Sequence, residues 1–213
     1  MLKKTISLFE FDELPQVVKA EVIEKNRYIN TDMVKWYSGI FEDFIEKAKQ
    51  YGLYIDYDKI LFSGFGSQGD GASFTCNDID TDVLLDKFDI HFTNEEGIYK
   101  FKDDEVKNEF CQRVYFWIYR GNSRYVHRYT VESNYSVDEG GIDRETADYF
   151  HSVAQDICDK LDTLKNDLCC DLYGELEKEY FELISDKAVA DSIRACEDLY
   201  FKNGALFTEG LVG

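Results

Sequence analysis

The sequence predicts an α+β fold, with an antiparallel β-sheet, N-terminal helices and a long C-terminal helical segment packed on the sheet. Two patterns carry this expectation. The runs "EFCQRVYFWIYRG" (109–121) and "RYVHRYTVESNYSV" (124–137) are rich in aromatic and β-branched residues at alternating positions. Further on, Val153, Ile157, Leu161, Leu164, Leu168, Leu172, Leu176 and Tyr180 recur at steps of three and four, the apolar stripe of a helix. Strand signals come early and helix signals late. With Pro15 the single proline and no repeat in the 213 residues, the chain reads as one domain, sheet-rich over 1–142 and helical over 143–213.

Element by element, "TISLFEF" (5–11) alternates like an opening strand. A helix follows over "DELPQVVKAEVIEKNRY", with Pro15 in its first turn and Leu14, Val17, Val18 and Val22 as its stripe. Asn30 or Thr31 can cap a second helix carrying Val34, Tyr37, Phe41, Phe44, Ile45 and Ala48, with Gly52 as its stop. "YIDYDKILFSGF" is a strand running into a glycine-rich segment, and "ASFTC" is extended again. "DVLLDKFDIHF" (82–92) fits either a short helix or a strand. The two aromatic-rich runs form a hairpin with Gly121 and Asn122 at its tip. Val114, Phe116 and Ile118 share one face there, and Tyr115, Trp117 and Tyr119 the other. On the return strand Tyr125, His127, Tyr129 and Val131 share a face. Asp143 caps the long C-terminal segment, Ser185 caps a last helix, and Gly204 helps end it.

Composition narrows the function classes. At 44% apolar and 15% aromatic residues the chain can build a core. No apolar run reaches the ~20 residues that cross a bilayer. Acids interrupt the N-terminal "MLKKTISLFEFDEL" before a signal-peptide core forms, so a cytoplasmic location is expected. The six cysteines show no C-x-x-C pair and read as reduced, mostly buried thiols. A formal charge of −19 opposes direct binding to nucleic acid or anionic lipid. Only residues 106–137 have a positive balance: Lys107, Arg113, Arg120, Arg124 and Arg128 against Glu109 and Glu132.

The segment "LFSGFGSQGDGASF" (61–74) stands apart. Gly64 to Gly69 satisfies G-x-G-x-x-G after a strand, but the extended "ASFTC" follows where a dinucleotide site needs a helix. A Walker A loop fails for want of Gly-Lys-Ser/Thr. The aspartates of "DIDTD" (78–82) fail as a calcium loop, since Val83 stands where glycine is required. His91, His127 and His151 lack metal-ligand spacing, and no metal or cofactor is expected. Two readings of the segment remain. The glycines can permit a tight turn whose backbone Gln68 and Asp70 satisfy. They can also expose N–H groups as a nest for an anionic or polar ligand, with Ser67, Gln68, Asp70 and Ser73 making specific contacts.

Several stretches are similar to a family encoded by many bacteriophages and prophages and sometimes labelled antitoxin. They are "FDEL" (11–14), "YSGIFEDF" (37–44), "FSGFGSQGDGASF" (62–74), "GNSRYVHRYTVE" (121–132) and "LYGELEKEYFELISDKAVADSIRACEDLYFKNG" (172–204). Position 66, often tryptophan in that family, is Gly66 here, and residues 77–110 depart most from its pattern. The resemblance implies a viral or mobile-element setting, and its matching site positions are Ser67, Gln68, Asp70, Ser73 and His127, with Tyr125 beside the histidine.

Together these readings point to a phage-type accessory protein that acts by binding, as an anti-CRISPR-like inhibitor of a host defence. It would work through acidic mimicry of a nucleic acid or by sequestering a nucleotide. For the latter, Arg113, Arg120, Arg124 and Arg128, interleaved with Tyr115, Trp117, Tyr119 and Tyr125, suit a phosphate and a stacked base. Two alternatives stay open: a nucleotide hydrolase or transferase using Asp70 and His127, and an antitoxin. The expected partner is a host defence protein or a small nucleotide, without direct nucleic-acid or membrane binding. A homodimer is compatible with the chain.

Overall fold

The computed structural model describes residues 6–32, 35–88 and 104–208. Its elements run β1 (Phe9–Glu10), α1 (Gln16–Lys25), α2 (Ser38–Lys49), β2 (Leu53–Tyr54), β3 (Ile60–Phe62), β4 (Ala72–Phe74), β5 (Asp78–Ile79) and α3 (Thr81–Lys87). Then come α4 (Asp104–Arg113), β6 (Val114–Arg120), β7 (Val131–Val137), α5 (Arg144–Leu183), α6 (Asp186–Ala195) and β8 (Leu199–Tyr200). The fold is α+β. Among the described residues the strands pair antiparallel in two-stranded ladders, β1–β8, β2–β5, β3–β4 and β6–β7. The chain divides into two compact units, one of residues 1–37 and 177–213, the other of 38–176.

In the first unit, Phe11, Leu14 and Val22 share a core with Val189, Ala190, Ile193 and Tyr200. The opening strand is shorter than the alternation suggests. Phe11 turns into a single 3-10 turn, in which the Glu13 carboxylate accepts the Glu10 N–H at 2.9 Å, so pairing stops after Glu10. Pro15, with φ −59°, leads into α1. Val17, expected in the apolar stripe, is 73% exposed. The buried line runs instead through Val18 and Val22, one turn apart. Asn30 does not cap a helix: its amide donates to the Leu183 carbonyl at 2.8 Å and accepts from the Ser192 hydroxyl at 2.6 Å. Ser185 caps α6 as expected, accepting the Ala188 N–H at 3.2 Å. The helix ends at Ala195, before Glu197 at φ 53°. Gly204 serves a later turn, where a Cβ would lie 2.8 Å from Val18.

In the second unit, α2 begins at Ser38 and buries Phe41, Phe44 and Ala48; Val34 lies outside the described residues. Gly52, at φ 77°, follows it as a left-handed stop. Phe41 meets Phe62 edge-on at 6.0 Å and Phe44 meets Phe74 at 5.3 Å, which seats the β3–β4 hairpin on α2. α3 answers the ambiguity at residue 82: Asp80 accepts the N–H groups of Asp82 and Val83 as its N-cap. The remainder of that stretch, from 89 on and including His91, lies outside the described residues.

"EFCQR" is the end of α4 rather than strand. Glu109 and Arg113 form an i,i+4 ion pair at 2.9 Å, and Phe110 is buried edge-on against Phe150 at 5.3 Å. β6 then follows the expected alternation, with Val114, Phe116 and Ile118 buried. Asp143 caps α5, accepting the Thr146 N–H at 2.8 Å. Leu164 is only half-buried, and the neighbouring Lys165 is buried in its place. The Lys165 ammonium donates to the Val131 carbonyl at 2.7 Å and to Asp162 at 2.6 Å, which satisfies the charge and holds α5 on the start of β7. All six cysteines are free. Among the described residues no helix is long and apolar enough to cross a membrane.

Candidate functional site

The glycine-rich segment is the connection of the β3–β4 hairpin. The ladder pairs Ile60 with Phe74, Leu61 with Ser73 and Phe62 with Ala72, and the Ser63 N–H extends it to the Gly71 carbonyl at 3.0 Å. At the tip, one Asp70 carboxylate oxygen accepts the N–H groups of Gly66 (3.1 Å) and Ser67 (2.7 Å), while the Asp70 N–H donates to the Ser67 carbonyl. Gly69 takes φ 109°, a conformation side chains disfavour. The amides of Gln68 and Gly69 have no acceptor among the described residues.

Two walls hold this loop. On one side Tyr173 of α5 donates its hydroxyl to the Gly64 carbonyl at 3.2 Å and packs its ring on Phe65 at 5.5 Å. On the other side lies the connection between β6 and β7. The hairpin expected to turn at Gly121–Asn122 is longer: the chain leaves β6 at Arg120 and rejoins the ladder only at Val131. The composition of "RYVHRYT" suits a strand, but local side-chain bonds capture the backbone first. The Tyr129 N–H donates to His127 Nδ1 at 3.2 Å, and the Thr130 hydroxyl donates to the His127 carbonyl at 2.7 Å. A 3-10 turn at Arg128–Thr130 results. Arg120 ties the bend by donating to the Tyr125 carbonyl at 2.7 Å. Tyr125, His127 and Tyr129 still project together: the first two rings stack at 6.3 Å and the last two meet edge-on at 5.9 Å.

Between the walls is a cavity of about 610 Å³. Gln68, Asp70, Tyr125 and His127, four of the residues singled out in the sequence, line it, joined by Arg128, Tyr129, Cys170 and Tyr173. Gly69 permits the approach, since a Cβ there would lie 2.9 Å from the Tyr125 ring. Arg124 sits beside the cavity, its guanidinium 4.7 Å over the Tyr125 ring. Ser67 is exposed and contributes its N–H to Asp70. Two candidates lie elsewhere. Ser73 is 1% exposed and on the opposite face of β4 from Ala72. Arg113 is at the far end of the ribbon, roughly 20 Å of strand away, bound to Glu109 and to the carbonyls of Asp138 and Gly140.

Charge pairing separates the arginines into two groups. Arg27, Arg113, Arg144 and Arg194 each face a carboxylate. Arg120, Arg124 and Arg128, all on or next to the connection, face none among the described residues. Arg128 donates to the Tyr129 hydroxyl at 2.7 Å and to the Cys170 sulfur at 2.6 Å. Its pKa is held above the ordinary value, chiefly by the bond to Tyr129. Neighbouring Cys169 is buried, and desolvation pushes its thiol up to about 12. Since His127 Nδ1 already accepts an N–H, the neutral ring carries its proton on Nε2. Among the described residues no three of His, Cys, Asp and Glu are grouped to hold a metal ion.

Arg128 stood out in the sequence only as one of four ribbon arginines, and Tyr129 only as a face-mate of His127. Cys170 and Tyr173 gave no signal as site residues. Their i,i+3 spacing on α5 places them on one helix face, but nothing in their types says which loop that face meets.

A domain of unknown function, DUF8835, matches residues 36–186, more than two thirds of the chain. The chain belongs to the DUF8835 family. No curated protein and no solved structure matches it. The DUF8835 stretch contains the whole unit of 38–176 and, with it, every residue that lines the cavity.

Proposed function

We propose that this DUF8835 protein is a phage-type accessory protein that acts by binding, taking a small nucleotide into the cavity between the glycine loop and the 121–130 connection, and thereby restrains a host defence in the cytoplasm. One observation carries the reading. In a chain of formal charge −19, three arginines without a carboxylate partner among the described residues collect on or next to the segment that walls the cavity. Guanidinium groups left with carbonyl, phenol and thiol partners keep donors for a phosphate. The rings of Tyr125, His127 and Tyr129 offer faces for a base, and the unpaired amides of Gln68 and Gly69 add donors to the loop.

The same geometry disfavours the hydrolase reading. Asp70 is engaged in holding the Gly66 and Ser67 amides. The Nδ1 atom that would act as base in neutral His127 is occupied by the Tyr129 N–H. Both groups serve the shape of the loop.

Native mass spectrometry of the protein purified from expressing cells, before and after incubation with a small-molecule extract of infected cells, tests the proposal. A retained nucleotide, with thermal stabilisation when it is added back, is the expected result; a ligand at a hundred times its Kd adds about 2.7 kcal/mol. Capture of a protein alone, with no small anion retained, overturns it.

A further inference from the structure

The connection contains the same small structure twice. Arg124 lies 4.7 Å over the ring of Tyr125 and donates to its hydroxyl. Arg128 likewise lies 4.7 Å over the ring of Tyr129 and donates to its hydroxyl at 2.7 Å. In both units the guanidinium is tied to its own tyrosine hydroxyl, which leaves part of the fork uncommitted. Arg124 donates to nothing else among the described residues, and the other partner of Arg128 is a thiol, a weak acceptor. His127 separates the units, stacked on Tyr125 and edge-on to Tyr129, while Tyr125 and Tyr129 have no ring contact with each other. Four residues of chain span at most about 14 Å. The order along the segment is therefore cation, aromatic, imidazole, cation, aromatic.

We propose that each Arg–Tyr unit holds one phosphate, so that the ligand carries two phosphates separated by a nucleoside, with a base against the imidazole between them. This deepens, and rests on, the reading of the cavity as a nucleotide site. Nucleoside 3′,5′-bisphosphates, linear dinucleotides and cyclic dinucleotides share that chemistry. Mononucleotides have one phosphate, and nucleoside triphosphates have theirs in a single run. Each guanidinium, anchored to its own phenol, can present its free N–H groups to a phosphate as a charge-assisted contact.

Isothermal titration of the full chain is the test. The probes are the 5′-monophosphates, 5′-triphosphates and 3′,5′-bisphosphates of the four common nucleosides, with linear and 3′,3′-cyclic dinucleotides of adenine and guanine. Probes with two separated phosphates should bind about tenfold or more tightly than the monophosphates, as a second charged contact implies. Arg124→Ala and Arg128→Ala should each remove that advantage, with unchanged far-UV circular dichroism. Arg124→Lys and Arg128→Lys should restore part of it. Arg144→Ala should not, its side chain being 94% exposed and away from the cavity residues. Which of the three two-phosphate classes binds tightest identifies the source of the ligand. Monophosphates binding as tightly as bisphosphates, or Arg124→Ala binding like the parent while Arg128→Ala does not, overturns the two-phosphate inference and leaves the nucleotide reading standing. No heat from any probe overturns both.

Discussion

Gly71 passes so close to His127 that a Cβ at position 71 would lie 2.6 Å from the histidine Cβ and 2.9 Å from its Cα. The first residue after the loop is thus packed against the backbone of the connection, with no flexible side-chain tip to move aside. Gly71→Ala should destabilise by about 1–3 kcal/mol, as forced insertion into packed structure does. For a chain of this size that is a fall of several degrees in Tm, roughly 2–4 °C per kcal/mol. Nucleotide affinity should fall with it, because His127 must shift. A scan showing an unchanged Tm would mean the two segments do not touch.

Asp70 separates a structural from a catalytic role. Its carboxylate holds two backbone N–H groups, and an asparagine oxygen can accept the same bonds while an alanine cannot. Asp70→Asn should therefore retain most stability and ligand binding. Asp70→Ala should lose about 1–2 kcal/mol from the unmade bonds. If Asp70→Asn instead folded and bound normally but abolished a measurable turnover, the carboxylate would be chemical and the binding reading wrong.

Thiol labelling maps the site without a variant. Cys170 and Cys196 are exposed. Burial pushes Cys76, Cys111 and Cys158 up to about 11 and Cys169 to about 12, so these stay protonated and slow. A thiol reagent at neutral pH should modify Cys170 and Cys196 first and the others only on unfolding. Bound nucleotide should protect Cys170, which lines the cavity, and leave Cys196 unprotected. Peptide mass analysis of the labelled protein reads both.

The start of α5 should be acid-sensitive. The Asp143 carboxyl is held below its ordinary 3.8, first by the backbone N–H of Thr146. A depressed folded-state pKa gives stability that is complete above the unfolded value and lost as pH falls through the folded one. Asp143→Ala should therefore lower Tm at neutral pH, and the gap to the parent should narrow as pH is taken below 3.8. Paired thermal melts across that range check it, and a gap that widens on acidification would contradict the assignment.

Where one local signal decided the structure, the sequence was readable. The alternation of Val114, Phe116 and Ile118, the caps at Asp143 and Ser185, and the stop at Gly52 all depend on neighbours in the chain. Lys165 was hidden because a lysine on an apolar stripe looks like an interruption, and only the Val131 carbonyl and Asp162 explain its burial. "RYVHRYT" misled for the opposite reason: its strand-like composition is correct, and the capture of the Tyr129 amide by His127 overrides it. The glycine loop, Gln68, Asp70, Tyr125 and His127 could be grouped from sequence as unusual residues. Their partner Tyr173 could not, because a loop at 64 meets a helix at 173 only through the tertiary fold.

The island of unpaired guanidinium groups also governs how anything arrives there. Repulsion by the acidic exterior grows with the total charge of the incomer and reaches outward by a Debye length, about 8 Å in physiological salt. Long polymers of phosphate meet that barrier many times over, whereas a compact anion with two phosphates crosses it once and is met inside by cations. Adding salt should accordingly quicken the capture of such a compact anion even as it loosens the grip, so that the two rate constants rise together.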